Sequence, residues 1–261
     1  MNPLEALEEG AGHLKTSLDP AIVIGSNGTG LTTYILWMCI TLTITLLVVL
    51  IAAKKLQLVP TKKFANIVEY GYDLVKKDMG ENAIGHGYEK HLPFLATLFF
   101  FILISNFVGL IPGCKTPTGT LGVTWALALV SFVYFNYYGV KAHGGLGYLK
   151  SIAPSGLPVV MVPIIWFFEF ISLCLRLLTL AVRLYGNMFA GHMVLGIFSL
   201  ATSLFITAAI QNLSIAYALI SPLWFIMLLL MYALECLVAY LQAYVFTILS
   251  AAYISLATSA H

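Results

Sequence analysis

The 261-residue chain is 60% hydrophobic and only 9% charged, with a mean hydropathy of +0.94. Soluble domains carry about 25% charged residues, so this composition excludes a soluble enzyme, a disordered chain and a secreted disulfide scaffold. The net charge of +2 offers no basic surface for a nucleic-acid partner, and the composition predicts an all-α integral membrane protein in a lipid bilayer.

The first predicted elements are a polar, acidic extramembrane segment at residues 1–30 and a spanning helix at residues 31–53. At about 1.5 Å per residue, such an apolar run is long enough to cross a hydrocarbon core of about 30 Å. Four lysines follow it at once: Lys54, Lys55, Lys62 and Lys63. By the positive-inside rule this end lies in the cytoplasm and the N-terminus lies outside.

Residues 62–78 alternate between apolar and charged side chains at helical spacing. Phe64, Ile67 and Leu74 share one face, whereas Glu69 and Asp73 share the other. The pattern predicts an amphipathic helix on the cytoplasmic leaflet or against a partner protein. A surface helix without a specific role is the alternative.

The rest of the chain predicts two helical hairpins. Residues 94–141 hold two apolar runs of membrane-spanning length, joined by a short turn rich in glycine and proline. Residues 157–260 hold two apolar runs that are much longer than a perpendicular membrane helix. We therefore expect about five membrane helices, the last two long and steeply tilted. The whole of residues 31–261 forms one membrane domain, and its C-terminus is expected in the cytoplasm.

Charge is concentrated in an unusual place. From Ser151 onward the chain has four charged side chains, Glu169, Arg176, Arg183 and Glu235, all within apolar sequence. Because an intramembrane charge costs about 2.5–3.5 kcal/mol on insertion scales, such residues indicate a functional path. Seven-residue spacing puts the first three on one helical stripe, and Glu235 and Gln242 form a second.

The residue types suggest how ions could move. A carboxylate and a histidine exchange protons near neutral pH, so Glu169, Glu235 and His192 can line proton-access paths. Arginine keeps its proton, so Arg183 can attract a carboxylate on a moving partner and block direct leakage. Simpler alternatives stay open for several positions. Arg176 can pair with Glu169 or extend to the membrane interface. His192 and Gln242 can simply form hydrogen bonds between helices, without a role in ion movement.

The stretch from Arg183 to His192, RLYGNMFAGH, resembles the signature of subunit a of F-type ATP synthases, and Leu241–Ser255 resembles the last helix of that family. The resemblance implies a stator in the F0 sector, packed against a rotating c-ring and joined to peripheral-stalk b subunits. It implies no enzymatic activity of the chain by itself, no cofactor and no bound metal.

By motif position, the resemblance assigns a role to each intramembrane polar residue. Arg183 is the essential arginine that faces the ring, with Asn187 and Gln242 beside it. His192 and Glu235 form the outer proton half-channel, and Glu169 belongs to the inner one. Arg176 takes a position that is commonly basic in the family. The ion is expected to be H⁺ rather than Na⁺, and the expected location is a bacterial plasma (inner) membrane. A self-contained ion channel or secondary transporter is the competing function.

Overall fold

The computed structural model describes residues 12, 22–24, 31–54, 63–145, 147–148, 161–212 and 215–258. Most of the predicted N-terminal segment 1–30 lies outside the described residues, as do Lys55 and Lys62. The same holds for the chain between residue 148 and the start of the long hairpin.

Helices dominate the described part of the chain. They are α1 (Thr33–Lys54), α2 (Lys63–Leu74), α3 (Leu92–Gly109), α4 (Leu121–His143), α5 (Val162–Asn212) and α6 (Ile215–Thr258). Five of them, all except α2, are long and apolar enough to cross a membrane. The predicted all-α membrane fold with five long apolar helices is confirmed. The described strands are short: β1 (Ile22–Ile24) pairs antiparallel with β2 (Leu31–Thr32) just before α1.

The amphipathic segment continues further than the pattern indicated. After α2 the chain forms a π-helix over Val75–Ile84, beyond the predicted end at residue 78. The change from α-helix to π-helix coincides with a change in burial. The π-helix residues Val75 and Met79 are fully buried, whereas the α2 residue Ile67 is 69% exposed. Asp78 in the π-helix accepts a hydrogen bond of 3.3 Å from the Tyr244 hydroxyl on α6. This segment is therefore packed on the membrane helices along half its length.

Helix α3 lies at the centre of the bundle. Leu95, Phe99 and Ile102 are almost completely buried, and the helix packs against α1 and α6. Its N-terminal turn contains Pro93, which is compatible with a first helical turn because the amide that proline lacks would be unpaired there. Burial of these large apolar side chains fixes α3 as the scaffold on which α6 rests.

Helices α5 and α6 are 51 and 44 residues long and run antiparallel. Near one end of the pair, the Arg176 guanidinium lies 5.3 Å from the centre of the Tyr253 ring; near the other, Phe205 stacks on Trp224. At about 1.5 Å per residue both helices are roughly twice the thickness of the hydrocarbon core or more, so they fit only at a steep tilt. Pro222 lies inside α6, where its ring removes one helical hydrogen bond.

Candidate functional site

The functional candidates lie on the two long helices, α5 and α6. Helix α5 carries Glu169, Arg176, Arg183, Asn187 and His192, and helix α6 carries Glu235 and Gln242. Because the helices are antiparallel, residues with increasing numbers along α5 lie opposite residues with decreasing numbers along α6. The structure joins α5 to α6 through Asn187 and Gln242 and packs Glu235 against α5, whereas Arg183 faces outward.

Arg183 is on an exposed apolar face of α5. Its neighbour Val182 is 45% exposed, and Leu175, two turns earlier, is 50% exposed. Arg183 itself is exposed, and within the described part of the chain it makes no hydrogen bond or ion pair. A guanidinium carries five donors that cannot be left in hydrocarbon without a partner. The position therefore requires water or another protein against this face.

Asn187 and Gln242 connect the two helices one turn beyond Arg183. The Asn187 amide donates a hydrogen bond of 2.8 Å to the Gln242 side-chain oxygen. Gln242 is 3% exposed, and its side-chain nitrogen is buried without a hydrogen-bond partner among the described residues. The bond fixes the register of the helix pair beside Arg183 and leaves an amide donor unused.

Glu235 is buried against the backbone of α5. It is 6% exposed, and its carboxyl group lies so close to Gly191 that a Cβ atom there would overlap it. Only glycine leaves the space that this carboxyl occupies, so Gly191 sets the approach of the two helices. The next residue on α5 is His192, which places an acid and a histidine at the same level of the helix pair.

His192 points toward α3 and the chain that follows it. Its Nε2 and Cε1 atoms would lie 3.0 and 3.2 Å from a Cβ on Gly109, so the ring packs directly on that glycine. Nε2 is buried and has no hydrogen-bond partner in the described structure. An unpaired buried nitrogen is costly unless water reaches it, which marks this position as a site for a bound water or proton.

Glu169 and Arg176 form an ion pair near the start of α5. The Arg176 Nη2 atom lies 3.2 Å from Glu169 Oε1, and the Glu169 side chain is 39% exposed. Arg176 also lies over the Tyr253 ring, so it bridges α5 and α6 as well as holding the carboxylate. The geometry matches the pairing that the sequence left open for Arg176. Glu169 stays accessible near the start of α5, and His192 lies much further along the same helix.

A buried polar network on α3 was not predicted. The Asn106 amide donates a 3.2 Å hydrogen bond to the Ala239 carbonyl oxygen on α6, and its own oxygen accepts a 2.7 Å bond from Thr118. Ala239 lies between Glu235 and Gln242, so this network fixes that part of α6 against α3. The signal was available, because Asn106 is a lone amide in an apolar run.

Metal ligation has no support in the described residues, where no three histidine, cysteine, aspartate or glutamate side chains are grouped to hold an ion. The polar groups of the site are instead single side chains spread along two helices. Such an arrangement suits the transfer of protons between separate groups.

Comparison with known proteins identifies the family. A family model described as ATP synthase A chain matches residues 35–255, which include every candidate residue. The chain belongs to this family. Subunit a of Chloroherpeton thalassium is 37% identical over 92% of this chain and 70% of its own length. Subunit a of Nocardioides sp. is 39% identical over 78% and 73%, and that of Brucella canis 40% over 76% of each. The resemblance found in the sequence is confirmed, and the chain is a multi-pass membrane protein.

Proposed function

We propose that this chain is the proton-translocating stator of an F-type ATP synthase. It offers two offset half-channels to a rotating c-ring, with Arg183 between them. The observation that carries the proposal is the exposure of Arg183 on an apolar helix face. An intramembrane arginine without an internal partner needs an external one, and a carboxylate on the ring meets that need.

The position of Arg183 along α5 supports two separate inlets. His192 lies nine residues beyond it, about 13 Å along the axis, and Glu169 lies fourteen residues before it, about 21 Å away. Neither group can pass a proton directly past the arginine over such distances. A proton is therefore carried around by the ring, which is the requirement for rotation.

The outer half-channel is formed by His192 and Glu235. These groups lie at one level of the α5–α6 pair, and each can accept and release protons. The described structure has no hydrogen bond between them, so a bridging water completes the transfer from one to the other. Glu235 then delivers the proton toward the ring carboxylate near Asn187 and Gln242.

The inner half-channel begins at Glu169. Its side chain is partly exposed and is oriented by the ion pair with Arg176, so water can take up the released proton there. Arg176 acts by positioning this carboxylate and by contacting Tyr253. The chain itself contributes no catalytic step on ATP; it couples proton flow to the complex. Each charge that crosses 100 mV supplies about 2.3 kcal/mol, so several protons are needed per ATP.

The orientation follows the charge of the loops. Lys76 and Lys77 of the π-helix lie between α1 and α3, and the positive-inside rule places this side in the cytoplasm. The N-terminus is then outside and the C-terminus of α6 is cytoplasmic, in a bacterial plasma membrane. Peripheral-stalk b subunits are the proposed second partner, and H⁺ rather than Na⁺ is the proposed ion.

The decisive experiment compares two arginines on the same helix. The ATP synthase complex is reconstituted in liposomes with Arg183→Ala or Arg176→Ala, and ATP synthesis driven by an imposed proton gradient is measured. We expect Arg183→Ala to abolish synthesis, because no fixed charge then separates the half-channels. Arg176→Ala is the matched control and should retain measurable synthesis. Coupled synthesis in the Arg183→Ala complex would overturn the stator proposal, and selective ion conduction by the isolated chain would favour a channel.

A further inference from the structure

An open groove runs along one face of α4, on a different helix from the polar residues of the proposed proton path. It has a volume of about 490 Å³ and is lined by six side chains of α4: Leu129, Val130, Val133, Tyr134, Tyr137 and Tyr138. Val133 and Tyr137 are 56% and 59% exposed, so the described part of the chain leaves this face uncovered. Such a groove on a membrane helix is filled either by lipid or by another protein.

The tyrosines of the groove are held in place by aromatic contacts with the start of α3. Tyr134 stacks on Phe94, with the ring centres 3.8 Å apart. The His91 ring lies edge-on, 4.5 Å from the Tyr138 ring, and its Nδ1 atom is 3.2 Å from the Tyr134 hydroxyl. The Tyr137 ring is nearly perpendicular to that of Tyr138, at 5.4 Å. This wall of the groove is therefore formed before any ligand binds.

The groove lies along the C-terminal half of α4 and ends close to Lys141. The helix rises about 18 Å from Leu129 to Lys141, and one leaflet contributes about 15 Å of hydrocarbon core. Tyrosine is enriched where the hydrocarbon meets the lipid headgroups, which places the aromatic end of the groove at that level. The apolar end then lies near the centre of the bilayer, so the groove has the length of an acyl chain in one leaflet.

Basic side chains lie at the headgroup end of the groove. The Lys141 ammonium is 5.8 Å from the centre of the Tyr138 ring, and Lys141 is exposed. Lys90 is exposed in the short turn that precedes His91, the residue in contact with the groove wall. Glu89 is the acidic neighbour in this turn, so the two lysines leave an excess of positive charge. Basic pockets beside membrane helices on the cytoplasmic side bind anionic lipid headgroups.

The headgroup rather than the acyl chain gives such a site its selectivity. An acyl chain that moves from the bilayer into an apolar groove exchanges one hydrocarbon environment for another, so burial of the chain brings no hydrophobic gain. A phosphate beside a lysine gains a charge attraction that corresponds to roughly a fivefold preference for each lysine. An apolar membrane helix of a partner protein would offer these ammonium groups no counter-charge.

We propose that the groove is a binding site for one anionic phospholipid. Its acyl chain lies along Leu129, Val133 and Tyr137, and its phosphate lies against Lys141 and Lys90. The site goes beyond the stator function. Only its placement in the inner leaflet rests on the orientation proposed above.

Photocrosslinking in the assembled complex identifies the occupant directly. Tyr137 or Val133 is replaced by p-benzoylphenylalanine, and the complex is reconstituted in vesicles of phosphatidylcholine with a minor fraction of phosphatidylglycerol. Mass spectrometry after illumination identifies each adduct. The control position is Leu46, which is 56% exposed on α1. The Tyr137 replacement is also combined with Lys141→Gln, with Lys141→Arg and, as a matched control on the same side of the membrane, with Lys77→Gln.

We expect phosphatidylglycerol adducts at both groove positions, enriched roughly tenfold over the fraction of this lipid in the vesicles. Adducts at Leu46 should match the vesicle composition. Lys141→Gln should lower the enrichment about fivefold, because one ammonium is lost, and Lys141→Arg should preserve it because the charge is kept. Lys77→Gln should leave the enrichment unchanged, since Lys77 belongs to the π-helix, which packs on α6 and α3.

Three results would overturn the lipid site. An adduct with another protein chain at both groove positions would make the groove a protein interface. A phosphatidylglycerol content equal to that at Leu46 would make the occupant ordinary bilayer lipid. The absence of any adduct in the groove, under conditions in which Leu46 reacts, would leave the groove without an occupant. None of these readouts depends on ATP synthesis, so the outcome is separate from that of the Arg183→Ala experiment.

Discussion

The side-chain amide of Asn187 on α5 donates a hydrogen bond of 2.8 Å to the side-chain oxygen of Gln242 on α6, one helical turn from Arg183. A single turn separates this bond from the exposed guanidinium of Arg183. It therefore fixes the relative height of the two helices at the point where the ring carboxylate is proposed to pass.

The first prediction measures the strength of this bond with a double-mutant cycle. Asn187→Ala, Gln242→Ala and the double variant should show a coupling free energy of about 0.6 kcal/mol, and no more than about 1.7 kcal/mol, as found for interhelical hydrogen bonds in membranes. Unfolding of the chain in mixed detergent micelles gives the free energies. Pairing Asn187→Ala with Thr124→Val on α4 is the control and should be additive, because Thr124 bonds only within its own turn. Additivity in the first cycle would show that the bond contributes nothing.

The second prediction concerns the space between Gly191 and Glu235. Gly191→Ala puts a Cβ where the Glu235 carboxyl lies, so the acid must move and proton-driven synthesis should fall roughly 10- to 100-fold. Adding Glu235→Asp, which shortens the acid, should recover part of the lost rate. Gly122→Ala on α4 is the control, since a Cβ there meets no atom within 4 Å. A Gly191→Ala complex with full activity would contradict this placement of the carboxyl.

The third prediction tests Glu235 as a proton donor. Glu235→Gln keeps the shape of the side chain and removes its exchangeable acid, so synthesis should fall on the order of 100-fold at alkaline pH. The loss should be smaller at acidic pH, where hydronium is abundant enough to supply the ring without the relay. Rates are measured across pH at a constant proton-motive force, with the exposed Glu89→Gln as control. Equal losses at every pH would remove Glu235 from the proton path.

The fourth prediction concerns stability and His91, which precedes α3 outside the spans. His91 is 6% exposed, and its Nδ1 atom lies 3.2 Å from the Tyr134 hydroxyl. Burial, with a smaller effect of the nearby Lys90 ammonium, holds the pKa of His91 below its ordinary value of 6.5. The unfolded chain then binds the proton more tightly, so His91 lowers stability as the pH falls below about 6.5 and has no such effect above it.

His91→Gln keeps a hydrogen-bonding side chain and removes the titration. Thermal unfolding in detergent between about pH 7.5 and pH 5.5 should show a larger drop in midpoint for the native chain than for the variant. The exposed His86→Gln serves as control and should follow the native chain. An identical drop in the native chain and in His91→Gln would exclude His91 as the group responsible.

The sequence predicted the long helices well because each helix is determined by the hydropathy of its own segment. An apolar run of sufficient length must be a helix in a bilayer, so the positions of α1, α3 and α4 follow from hydropathy with ends displaced by only a few residues. The π-helix after α2 was missed; it packs on α6, where Asp78 accepts a hydrogen bond from Tyr244, and such a contact with a distant part of the chain leaves no local pattern. Helix α6 begins at Ile215 and continues through Pro222.

The sequence selected the candidate residues of the site but not the contacts between them. Arg183 and Glu235 could be selected from the sequence because charged residues are rare in membrane helices. A charge in the hydrocarbon core costs free energy in any chain. The contacts of Asn106 with Ala239 and of His192 with Gly109 depend on tertiary packing, so spacing along one helix could not reveal them. The contact between Tyr34 and Lys115 likewise needs two segments that are about 80 residues apart in sequence.

The antiparallel contact between α5 and α6 also has a mechanical consequence. It extends from Arg176 and Tyr253 to Phe205 and Trp224, or 29 residues of α5, which is about 43 Å of helix axis. A sideways force applied at Arg183, about 10 Å from the Arg176 end of this contact, therefore acts on two joined helices instead of bending one. Because Asn106 ties that pair to the buried α3, the load passes into the centre of the bundle. The same packing that places the charge thus gives it the stiffness to resist a sideways load.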